Sequence, residues 1–189
     1  MALDDPFTTI TQRLIAILRN NPAMTGPYGI GVKSANIIDL TEAMKSQDYP
    51  VPTPTAGQTP QILVLPTSGI FHPYGTNSRV ASANRRWILA ITTDTLRLGG
   101  EQAGVGPITL FSVEWAMMLS FVAVAPDLGL TGMVKTYTPM TAHERGLLDD
   151  FPALSRDTPR RWTAVLSIDV EMYFSSQKLI QYLASITPS

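Results

Sequence analysis

Two stretches of the chain open alike and then alternate in polarity. Arg85-Arg86-Trp87 runs into Ile88-Leu89-Ala90-Ile91-Thr92-Thr93-Asp94, and Arg160-Arg161-Trp162 runs into Thr163-Ala164-Val165-Leu166-Ser167-Ile168-Asp169-Val170. In the second, Trp162, Ala164, Leu166, Ile168, Val170 and Met172 point one way, while Thr163, Ser167, Asp169 and Glu171 point the other. That pattern predicts a strand with one buried face and one face that is wet or meets a partner. The first stretch is apolar on both sides from Trp87 to Ile91 and polar at its end. Each reads as a strand entered through two cations and an aromatic ring and closed by a carboxylate. A continuous apolar run at 61–65 predicts a short strand buried on both faces. Further strands are predicted over 32–40 and 133–138.

Helical spacing marks other segments. Asp5-Pro6 is a helix start, with a carboxylate able to cap and proline at the first helical position. Phe7, Ile10, Leu14 and Ile17, widened by Leu18, form one apolar stripe, and Asn20-Asn21-Pro22 ends it. Ile108, Phe111, Trp115, Met118 (with Leu119) and Val122 repeat at helical spacing and predict a second helix over 109–124, stopped by Pro126. It is apolar around much of its circumference, so covering on two sides is expected. Thr141-Ala142-His143-Glu144 fits a capping box opening a brief helix. Residues 175–186 read as a C-terminal helix that buries Leu179, Ile180 and Leu183.

The remainder is punctuation. Residues 49–60 hold four prolines in 12 positions and favour extended backbone, as a surface excursion or an arm laid on another subunit. Residues 66–82 read as loop, with a turn at His72-Pro73-Tyr74-Gly75. The order of elements predicts an α+β fold: a mixed or mainly antiparallel sheet of four to six strands, with two or three helices packed on one face. The chain reads as a single domain over 1–189, with extended loops at 49–60, 95–107 and 126–160.

Composition narrows the function more than the fold. A chain of 189 residues can bury roughly 70% of its unfolded surface and needs no metal or disulfide to hold a core. There are no cysteines, so the redox compartment is left open. The formal net charge of −1 argues against nucleic-acid binding driven by bulk charge. Only 15% of residues are charged, against about 25% in an average protein. A surface so poor in charge suits one covered by neighbouring subunits, and equally a modestly stable monomer with long loops. The acidic start, Met1-Ala2-Leu3-Asp4-Asp5, does not resemble a secretory signal, and the most apolar run, 111–125, contains Glu114 and is too short to span a membrane. A soluble intracellular product is the expectation.

No catalytic motif survives inspection. His72 and His143 are the only histidines, and neither lies in a metal-ligand spacing. An enzyme of unrecognised class would have to pair one of them with Glu114 or Asp94. The glycines from Gly99 to Gly106 are followed by Pro107-Ile108, not by the lysine and hydroxyl that a phosphate-binding loop requires. No catalytic, cofactor-binding or metal-binding residue is therefore assigned. Trp87, Trp115 and Trp162 would line a pocket if the chain were a small-molecule or peptide-binding module. The arginine pairs Arg85-Arg86 and Arg160-Arg161, with Arg97 and Glu101, are the candidate interface or pore residues, because arginine suits bidentate pairing at subunit contacts.

The layout carried by residues 5–18, 86–92, 108–122 and 161–170 resembles the tail terminator (tail completion, head–tail joining) proteins of long-tailed bacteriophages. The likeness is one of element order over about half the chain, without a signature motif, so no functional residue transfers. It implies a small α+β subunit that closes into a homo-oligomeric, hexameric ring on the tail tube. That ring would halt tube polymerisation, meet the head connector and let DNA pass without sequence specificity. It would sit in the virion neck after assembly in the host cytoplasm, with no cofactor, catalysis or membrane. Another neck, connector or tail subunit is the near alternative.

Overall fold

The computed structural model describes residues 6–26, 30–40, 60–72, 80–93, 97–98, 108–138, 141–147 and 162–175. Its helices are α1 (Pro6–Asn20), α2 (Pro22–Thr25) and α3 (Leu110–Val122), with a 3-10 turn at Ser34–Asn36. Its strands are β1 (Ile37–Asp39), β2 (Gln61–His72), β3 (Val80–Thr93), β4 (Arg97–Leu98), β5 (Ile108–Thr109), β6 (Val134–Tyr137), β7 (Thr141–Leu147) and β8 (Trp162–Ser175).

α1 forms where its apolar spacing dictates, burying Ile10, Leu14, Ile15, Ile17 and Leu18 along one side. Pro22 ends α1 and opens the one-turn α2. Asn21 caps α2, its Oδ1 accepting from the Ala23 N–H at 2.7 Å. The main sheet is mixed. β1 runs parallel to β2, and β2–β3 and β3–β8 are antiparallel. The far edge of β8 is shared, β7 lying along its first half and β6 along its second. The predicted α+β class, with a mixed sheet and helices on one face, is therefore the fold observed.

The two Arg-Arg-Trp stretches become adjacent antiparallel strands, so Trp87 stands opposite Ile168 and Trp162 opposite Thr93. The alternation predicted for β8 holds: Ala164, Leu166, Ile168, Val170 and Met172 are buried against the helix layer. Trp87, Leu89 and Ile91 of β3 and Ile62 and Val64 of β2 complete that inner face. Each fully buried large apolar side chain contributes about 1.5–3 kcal/mol. Trp87 also donates from Nε1 to Thr11 Oγ1 at 2.9 Å, which satisfies its one polar atom inside the core. Leu63 is buried too, as the apolar run at 61–65 implied.

Several expectations are corrected. The strand predicted over 32–40 is a 3-10 turn followed by the three residues of β1. Residues 66–82 are not all loop, because β2 continues through Pro66, Gly69 and His72, and β3 starts at Val80. The ladder absorbs Pro66 by a bulge between Pro66 and Gly69. Thr141-Ala142-His143-Glu144 does not open a helix; it lies in β7, paired with β8. Two strands, β6 and β7, thus occupy part of 126–160, β6 close to the strand predicted there. The base of the 95–107 excursion is pinned by the β4–β5 ladder. Residues 49–59 and the C-terminal segment 176–189 lie outside the described residues.

Between α3 and β6 the chain turns through Leu128, Gly129 and Gly132, all with positive φ. Asp127 shapes the turn by accepting from the Gly129 N–H and the Thr131 hydroxyl, each at 2.9 Å. Leu128 plugs the core completely, and Arg13 of α1 donates from Nε to its carbonyl at 2.6 Å.

Candidate functional site

The arginine pair does not act as a pair. Strand alternation sends Arg85 and Arg86 to opposite faces of β3, in the middle of a 14-residue strand and not at its mouth. Arg85 lies on the helix side, its Cζ 4.1 Å above the Phe7 ring and its Nε buried without a hydrogen-bond partner. Arg86 lies on the other face, directly opposite Asp169 in the β3–β8 register. It forms a two-pronged ion pair there, Nε to Oδ1 at 2.7 Å and Nη2 to Oδ2 at 2.9 Å. The bond to Asp169, reinforced by its charge, raises the Arg86 pKa. Asp169 is therefore a mid-strand partner of Arg86 and not a strand terminator.

Around this pair the outer face of the sheet forms a shallow open groove of about 520 Å³. Ile70, Asn84, Thr136, Thr138 and Glu171 line it together with Arg86 and Asp169. Lys135 reaches Glu171 Oε1 at 3.0 Å, and that bond raises the Lys135 pKa. The same ammonium lies 5.9 Å from the Tyr173 ring centroid. The two cations thus engage the two anions within the face. Both pairs are substantially exposed, so they shape the surface more than they stabilise the fold.

A second surface lies on α3. Val113, Ala116, Met117 and Phe121 are buried against the core, with Glu114 and Ser120 beside them. The opposite side carries Trp115, Met118, Leu119 and Val122, exposed by 60%, 40%, 39% and 78%. The sequence leads one to expect covering on two sides; among the described residues only one side of α3 is covered. Of the helical repeat Ile108, Phe111, Trp115, Met118 (with Leu119) and Val122, the residues from Trp115 on face outward, and the side chains of Ile108 and Phe111 lie outside those described. The repeat does not reveal the inward face, Val113, Ala116, Met117 and Phe121, that does the packing.

The other sequence candidates separate. Arg160, Arg161, Glu101 and Asp94 lie outside the described residues, and Arg97 is placed only as a backbone position in β4, opposite Thr109. His72 falls on the outer sheet face, opposite Ser82, while Glu114 is buried and engaged on the helix side, so the fold does not bring these two together. His143 is placed only as a position in β7. Trp87 is sealed in the core and Trp115 faces away from it, so they share no pocket. Among the described residues no cluster of three His, Cys, Asp or Glu side chains is placed to hold a metal, and no helix is long and apolar enough to cross a membrane. Compared with known proteins, the chain matches no protein-family model and no curated protein.

Proposed function

We propose that this chain is a structural assembly subunit of a virion, a tail terminator that caps the tail tube as a homo-oligomeric ring and joins it to the head connector. The observation that carries the assembly reading is the outward stripe of α3. Trp115, Met118, Leu119 and Val122 form an apolar face of α3 that is left exposed among the described residues. The low share of charged residues points the same way, since surfaces buried between subunits are depleted of charge. The layout of helix, sheet and amphipathic last strand adds the resemblance to tail terminators, and with it the ring, the tail tube and the passage of DNA. On this reading the chain works through shape, with neither catalysis nor a cofactor.

Native mass spectrometry of the purified chain, alone and mixed with tail tubes, tests it. The expected result is a closed oligomer, hexameric if the resemblance holds, and capture of that oligomer at tube ends. A chain that stays monomeric and ignores the tubes contradicts the reading.

A further inference from the structure

We draw no further inference here: the strongest candidate, the exposed apolar stripe of Trp115, Met118, Leu119 and Val122 on α3, carries nothing beyond the assembly reading, because nothing in the structure shows what covers it.

Discussion

At the scale of single residues, the core depends on polar atoms being answered where they are buried. Thr11 is buried on α1, donates to the Phe7 carbonyl at 2.7 Å and accepts from Trp87. Thr11→Val keeps the shape but strands the indole N–H, and is expected to cost about 1–3 kcal/mol in urea unfolding, while Thr11→Ser should cost less. Leu128 plugs the core from a left-handed backbone conformation held by Asp127 and Arg13. Leu128→Ala should cost about 2–5 kcal/mol by the same measurement. The Gly129 N–H and the Thr131 hydroxyl hold the Asp127 carboxyl below its ordinary pKa. A depressed carboxylate stabilises the fold above its unfolded pKa and stops doing so as pH falls through the folded value. Asp127→Asn should therefore narrow the loss of stability on acidification below about pH 4, near which free carboxylates titrate. Little of this was legible in the sequence. Arg85 and Arg86 read as a pair because they are neighbours, yet a strand separates neighbours, and only its length showed that they sit inside it.

At the scale of elements, periodicity was a good guide to type and a poor one to extent. α1 and the inner face of β8 follow from their spacing alone. Pro66, Gly69 and His72 resemble punctuation, yet pairing with β3 carries β2 through them around a bulge. Gly69 makes that possible: a Cβ there would lie 2.6 Å from the Asn84 carbonyl oxygen, a backbone atom that cannot step aside. Gly69→Ala is expected to destabilise the chain by about 1–3 kcal/mol. It should also speed amide exchange in the lower half of β2 and β3, a change that hydrogen-exchange mass spectrometry localises. The capping box at 141–144 failed for a related reason. Its local chemistry is correct for a helix start, but no apolar helical repeat follows, and the open edge of β8 recruits the segment as β7. Long-range pairing of this kind leaves no local mark.

At the scale of the whole molecule, the sheet divides two environments. One side is sealed by α1 and α3 around Trp87; the other is a compensated polar groove with apolar flanks. The groove joins Asn84 and Arg86 of β3 to Asp169 and Glu171 of β8, so it exists only after residues some 85 positions apart pair at one register. No reading of local pattern would assemble it. The stripe on α3 was visible as a repeat, but which side faces the core is decided by α1, α2 and the sheet together. Replacing Val122, the most exposed of the four, with lysine should leave the melting temperature nearly unchanged and shift self-association toward monomer, as light scattering reads it. The central proposal is that this chain acts through surfaces left exposed among its described residues. Sedimentation equilibrium of the wild-type chain across a wide concentration range, with and without tail tubes, tests that claim most directly. The account predicts masses at multiples of 20.6 kDa that grow with concentration or with tubes. A single species of 20.6 kDa under every condition would contradict it.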